Sequence, residues 1–221
     1  MALREPENRS FALSRRTLLF GASALGVSYG CPQLHAAEKV GLVTSLVGSA
    51  SLARADGKIA AMDGAPVLLG DLVETGEASR LALQIGEATR IKLGAKASLR
   101  IDRFVPGVAA KLQLDQGAVL VEHGPGAEKD LDVETPYALI AARGTKFWGG
   151  PSNGVFGVFV VDGEVEVRAA GRSVRVGSGM GTDLSLAGAA DKVGRGMGGT
   201  PPTTPHPWAQ ARIQAALQTI Q

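Results

Sequence analysis

One cysteine and three histidines in 221 residues leave little material for metal or thiol chemistry. Cys31 has no partner, so an intramolecular disulfide framework is excluded. A Cys/His zinc site fails on the same count, because His35 sits in the N-terminal leader and only His123 and His206 remain. No clustered acidic loop points to another metal, and no cofactor is expected. Gly194, Gly196 and Gly199 spell a Gly-x-Gly-x-x-Gly match, but no strand precedes it and Thr200-Pro201-Pro202 follows, so it reads as linker. No apolar run reaches the roughly 20 residues of a membrane-spanning helix, so the mature chain should have no span. There is no excess of one charge either. The formal +2 comes from Arg4, Arg9, Arg15 and Arg16 against Glu5 and Glu7, and the remainder carries equal numbers of basic and acidic side chains. A balanced body gives no basis for expecting nucleic acid as a partner. No Gly-x-Ser-x-Gly elbow is present, and His123, beside Gly124-Pro125-Gly126, is expected in a solvated loop. No catalytic residue is assigned, and the chain is read as a non-enzyme.

What the chain has instead is glycine, proline and short alternating runs. Thirty glycines and eleven prolines imply many turns. Leu83/Ile85, Ile91/Leu93, Leu99/Ile101, Leu112/Leu114, Val119/Val121, Val165/Val167 and Val174/Val176 are spaced by two, which puts apolar side chains on one face of a strand. Turn signals recur between them, among them Asp56-Gly57, Asp63-Gly64, Gly70-Asp71, Pro106-Gly107 and Gly117. This rhythm predicts an all-β domain. Sandwich, barrel and solenoid are all compatible with the pattern.

The chain divides into four segments. Residues 1–36 read as an export signal: Arg15-Arg16 precedes a mildly apolar stretch, and Leu34-His35-Ala36 offers cleavage after Ala36, with Ala37 a near equal. The leader resembles a twin-arginine (Tat) signal, which implies Tat-dependent export of a folded protein to the periplasm. Residues 37–190 form the β domain, 191–206 a Gly/Pro/Thr-rich linker, and 207–221 a C-terminal helix opened by Pro207. Ala209, Ile213, Ala216, Leu217 and Ile220 fall on one face of that helix, which suits docking on the domain or contact with a partner.

Thr135-Pro136-Tyr137-Ala138, Arg143-Gly144-Thr145-Lys146-Phe147 and Val161-Asp162-Gly163-Glu164-Val165 follow one another in that order. Gly70-Asp71-Leu72-Val73-Glu74-Thr75-Gly76 and Gly117-Ala118-Val119 lie upstream. Together they resemble the FecR domain, the family named for a periplasmic ferric-citrate signalling regulator, over roughly Val40 to Gly181. The resemblance implies a twisted β-solenoid-like stack of short strands, here with a short C-terminal amphipathic helix. Family regulators usually add an N-terminal anti-sigma region and one membrane span. With the domain starting just after the leader, the expected role is a soluble module for protein interaction or signalling in the cell envelope. A cell-wall or polysaccharide-binding structural module, with glycan as partner, is the alternative. An exported polysaccharide-acting enzyme would need paired carboxylates in a groove, for which Asp162, Glu164 and Glu166 are available.

Within the signature, Arg143 is expected to be partly buried and paired with Glu164 or Asp162. Gly144 should supply a bend, and Thr135-Pro136 an extended strand entry. Phe147 is expected to face the core. Trp148, Trp208, Ile213 and Leu217 are the candidate contact surface.

Overall fold

The computed structural model describes residues 38–124, 127, 129–186 and 200–221. Arg15, Arg16, Cys31, the cleavage alternatives and the Gly194/Gly196/Gly199 match lie outside the described residues. The chain begins with β1 (Lys39–Val47), β2 (Ala50–Arg54), β3 (Gly57–Ala60), β4 (Pro66–Leu68), β5 (Leu72–Thr75) and β6 (Arg80–Ile85). It continues through β7 (Thr89–Leu93), β8 (Ser98–Val105), β9 (Ala109–Gln116), β10 (Val119–His123), β11 (Asp130–Glu134) and β12 (Leu139–Ala142). It ends with β13 (Lys146–Ser152), β14 (Val155–Asp162), β15 (Glu164–Ala169), β16 (Arg172–Gly177), β17 (Met180–Ser185), β18 (His206–Pro207) and α1 (Gln210–Gln218).

These strands form two sheets. Sheet I has the order β18-β17-β14-β13-β10-β7-β6-β1-β4, and sheet II the order β16-β15-β12-β11-β9-β8-β5-β2-β3. The chain is therefore mostly β, with one short helix at its C-terminus. It places a hairpin in one sheet, crosses, and places the next in the other: β6-β7 in sheet I, β8-β9 in sheet II, β13-β14 in sheet I, β15-β16 in sheet II. Strand β10 visits sheet I singly. On its return the chain lays β11 parallel to β9, which is the one parallel pair among the described strands.

The period-two runs account for the core. Leu83, Ile85, Ile91, Leu93, Leu99, Ile101, Leu112, Leu114, Val119, Val121, Val165, Val167 and Val176 are all buried in the cluster between the sheets. Val174 packs against it half-buried. Their neighbours Arg90, Lys92 and Arg168 point to solvent, as the pleat requires. Phe147 joins this core.

At one end of the stack the crossings form a column. Crossing β1→β2 turns at Gly48-Ser49, β5→β6 at residues 76–79, β7→β8 at residues 94–97, and β9→β10 at Gly117-Ala118. A crossing strips backbone groups of ladder partners, so they bond to the next corner. Gly76 N–H donates to the Ser49 carbonyl (2.8 Å), Lys96 N–H to Gly76 (3.0 Å) and Gly94 N–H to Ala118 (2.9 Å). Buried hydroxyls complete the set. Ser49 N–H donates to Ser79 Oγ (2.8 Å). Thr75 Oγ1 donates to the Gly94 carbonyl (2.6 Å) and accepts from Ala97 N–H (2.8 Å). Glycine is needed where corners touch: at Gly117 (φ +86°) a Cβ would lie 2.5 Å from Ala97 Cα.

Two boundaries differ from the sequence reading. The Gly149–Gly154 stretch, whose Gly, Pro, Ser and Asn composition reads as a loop, is mostly strand, and only Asn153-Gly154 turns, with φ +52° and +77°. Positive φ at both central positions is the hairpin geometry that Asn-Gly favours. The C-terminal helix starts at Gln210 rather than Pro207, because His206 and Pro207 pair with Gly181 and Met180. Residues 200–206, expected as linker, run along β17: Thr182 Oγ1 donates to the Thr203 carbonyl (2.7 Å) and Asp183 N–H to Thr203 Oγ1 (2.9 Å).

Thr75→Val keeps the shape of a buried side chain but leaves Gly94 O and Ala97 N without their hydroxyl partner. It should cost about 1–3 kcal/mol in urea unfolding, and Thr75→Ser should recover most of the loss.

Candidate functional site

The signature residues hold corners. The Asp71 carboxylate is buried; it accepts from Arg54 Nε (2.9 Å), from Arg54 Nη2 (3.1 Å) and from Leu68 N–H (2.9 Å), closing the β4→β5 crossing. Thr135 Oγ1 donates to the Ala138 carbonyl (2.8 Å) and accepts from Ala138 N–H (2.9 Å) and Tyr137 N–H (3.2 Å). That side-chain turn leaves Tyr137 stacked on Phe156 at 4.9 Å. Pro136 is half-buried within it. Gly144 (φ +56°) bends the β12→β13 crossing. Gly163 (φ +85°) alone separates β14 from β15, and a Cβ there would meet Thr145 Cγ2 at 2.7 Å. Thr145 is buried, its carbonyl accepts from His123 N–H (2.8 Å), and its Oγ1 has no partner among the described residues. Asp162 is exposed opposite Lys146.

Two expectations are corrected here. Arg143 is not buried and does not pair with Asp162 or Glu164. It follows the last residue of β12, its side chain is 76% exposed, and it donates to Asp130 Oδ1 from Nε (2.8 Å) and Nη2 (2.5 Å). An exposed pair of this kind contributes little to stability. His123 is 2% exposed, at the end of β10, with Nδ1 3.0 Å from Thr89 Oγ1.

The proposed aromatic surface is also corrected. Trp148 is 0% and Trp208 6% exposed. With Ala118, Leu120, Phe159, Ala216 and Ile220 they form a second small core on the outer face of sheet I, and Ile213 and Leu217 pack half-buried against it. Trp148 does point away from Phe147, as alternation demands, but the chain's own C-terminal segment covers it. The floor is glycine: Cβ atoms at Gly157 and Gly181 would lie 2.5 and 2.2 Å from the Trp208 ring. Arg212 stacks on that ring at 3.5 Å and grips Asp183 with two bonds (3.0 and 2.6 Å). Trp148 Nε1 donates to Thr219 Oγ1 (3.2 Å). A nine-residue helix without a capping side chain is marginal alone, so α1 depends on this docking.

The outer face of sheet II carries the charge. The ladder aligns Lys111, Asp132, Ala141, Glu166 and Arg175 across β9, β11, β12, β15 and β16. Ala141 is the small residue in the row, and over it lies an open trough of about 530 Å³ bounded also by Asp130, Arg143, Glu164 and Arg168. Most of these charges are already matched. Glu166 accepts from Arg168 Nη2 (2.5 Å) and from Ser173 Oγ, and these hold its carboxyl down at about 2. Lys111 is drawn to Glu134 (2.9 Å) and Asp102 (3.6 Å), with its pKa raised chiefly by the Glu134 bond. Asp132 is different. It makes no hydrogen bond or ion-pair contact among the described residues, and burial pushes its carboxyl up. Sequence reading missed Asp132, Arg168 and Arg175, since each looks like an ordinary outward strand residue until the register sets them around Ala141. No cluster of metal-binding side chains occurs among the described residues.

Comparison with known proteins agrees with this picture. Residues 71–166, from the corner aspartate to Glu166, match the model of the family described as FecR protein. Two crystal structures of a "putative anti-sigma factor" from Parabacteroides distasonis ATCC 8503, at 1.65 and 2.50 Å resolution, share the fold. Each has a TM-score of 0.51 and 14% identity, covering 66% of this chain. The chain spans 64% of the length of those structures. No curated protein matches it.

Trp208→Ala and Gly181→Ala act on opposite sides of one contact and should both free the C-terminal segment. Limited proteolysis should then cut within residues 200–221 while the two-sheet core stays resistant. Asp132 should show a pH signature. Its folded pKa lies above the ordinary 3.8, so the fold is penalised as pH rises through that window, and the penalty is complete above it. Asp132→Asn should raise the melting temperature at pH 7, and the gain should vanish as pH falls below about 3.8.

Proposed function

We propose that this chain is an exported, non-enzymatic module of the cell envelope that acts by contacting a protein partner in signalling or regulation. The observation that carries this reading is how the signature side chains are used. Asp71, Thr75, Gly144 and Gly163 sit at sheet crossings and Thr135 closes the β11–β12 turn, so the residues that resemble the family's build a scaffold. What such a scaffold offers is surface: the outer edges of β3 and β16, which end sheet II, and the charged trough. Similarity to the FecR family model and to an anti-sigma-like structure supports a regulatory role with a protein partner.

The finer features follow the same reading. The stacked corners suit a twisted, solenoid-like succession of rungs. The Arg15-Arg16 leader suits Tat-dependent delivery to the periplasm, and no helix among the described residues is long and apolar enough to cross a membrane. A glycan-stacking role loses its platform with Trp148 and Trp208 buried. The polysaccharide-enzyme reading would use Asp132 and Glu166 on either side of Ala141. Glu166, however, is held by Arg168 on one oxygen and Ser173 on the other, which leaves it poorly placed to activate water.

Replacing both Arg15 and Arg16 by lysine should leave the protein in the cytoplasm on fractionation. In vivo cross-linking of the wild-type chain should trap one envelope protein at sheet II. Normal export of the variant would remove the Tat reading. Polysaccharide turnover that disappears in Asp132→Asn would overturn the non-enzymatic role.

A further inference from the structure

Asp132 lies on a face where most carboxylates are matched. Asp130 is held by Arg143, Glu166 by Arg168 and Glu134 by Lys111. Lys111 is the ladder neighbour of Asp132, yet its ammonium is turned to Glu134 and Asp102. On the other side stands Ala141, whose methyl can neither pair with the carboxylate nor fill the space above it. A partly desolvated charge held by no hydrogen bond or ion pair, and attracted only at longer range by Arg168 and Lys111, costs the fold stability. The trough beside it has room for an incoming side chain, and its rim carries a second carboxylate, Glu164, exposed and without an ion pair among the described residues.

We propose that this trough receives a basic side chain, arginine or lysine, from a protein partner, with Asp132 as the anchoring carboxylate and Glu164 beside it. Charge complementarity names the occupant. With Asp130, Glu134 and Glu166 taken, Asp132 and Glu164 remain unmatched, and the demand is for a cation that can reach down over Ala141. A guanidinium or ammonium supplies it through charge-assisted hydrogen bonds. The opposite occupant, an anion, could meet Arg175 at the rim but would have to approach Asp132 and Glu164 directly and would find Arg143 and Arg168 already engaged. The inference rests on the partner-contact reading and assigns that contact a place and a chemistry.

The probe is a blocked Gly-Arg-Gly tripeptide titrated into the ¹⁵N-labelled protein. Amide shifts should centre on Asp132, Ala141 and Glu164. Asp132→Asn should weaken binding at least about tenfold, as should replacing the peptide's arginine with neutral citrulline. Glu74→Gln, on β5 of the same sheet and paired with Lys58 outside the trough, should leave binding unchanged. Equal binding by Asp132→Asn, or shifts centred elsewhere, would overturn the proposal. The two readings fail separately. If an envelope partner cross-links to wild type and to Asp132→Asn alike, the trough assignment falls and the interaction role stands. If the tripeptide binds at Asp132 but no envelope protein is trapped, the interaction role falls instead.

Discussion

A chain that changes sheets after nearly every hairpin must satisfy the backbone groups it exposes at each crossing. This constraint organises the molecule. Within a sheet the ladder pairs N–H and C=O automatically, but at a corner it stops, and a buried unpaired group there costs as much as a lost hydrogen bond. The protein meets the demand by stacking corners so that each bonds to its neighbour. Ser79 and Thr75 place hydroxyls at these crossings, Asp71, bound by Arg54, does the same at the β4→β5 crossing, and Thr135 closes the turn between β11 and β12 within sheet II. Buried polar side chains in an otherwise aliphatic core are thus the means by which the two sheets stay joined.

The same economy of space explains the two faces. Sheet I has glycine at Gly157 and Gly181, and these hollows accept Trp208 against the strands. The C-terminal segment then protects Trp148 and Phe159, so aromatic residues that a lone sheet would expose become a second core. Arg212 closes this contact by stacking on Trp208 while its guanidinium holds Asp183. Among the described residues, sheet II has no such cover. Its outer face is populated by charges, most of them paired, with Asp132 and Glu164 left unmatched.

Charge balance across the body therefore conceals a local imbalance. Counting residues gives neutrality, but pairing them shows which carboxylates are met. Glu166 and Asp132 share a face on either side of Ala141 and are shifted in opposite directions, one by Arg168 and Ser173, the other by burial. Recognition of a cationic group follows from that difference. Total charge does not enter into it.

The strands, their alternating faces and the all-β class were legible in the residues alone, because a period of two is a local property that the pleat converts directly into inside and outside. The FecR-like turns at Gly70-Asp71, Thr135-Pro136 and Asp162-Gly163 were legible too, since turn chemistry depends on adjacent side chains. Arg143, His123, Trp148 and Trp208 were misplaced for the opposite reason. Whether an outward residue meets solvent depends on what lies over it, and for Trp148 the cover comes from a segment more than fifty residues further along. Nothing near Asp132 in the chain marks it as special. Its character arises only when register brings Ala141 to one side and Lys111, already bound elsewhere, to the other.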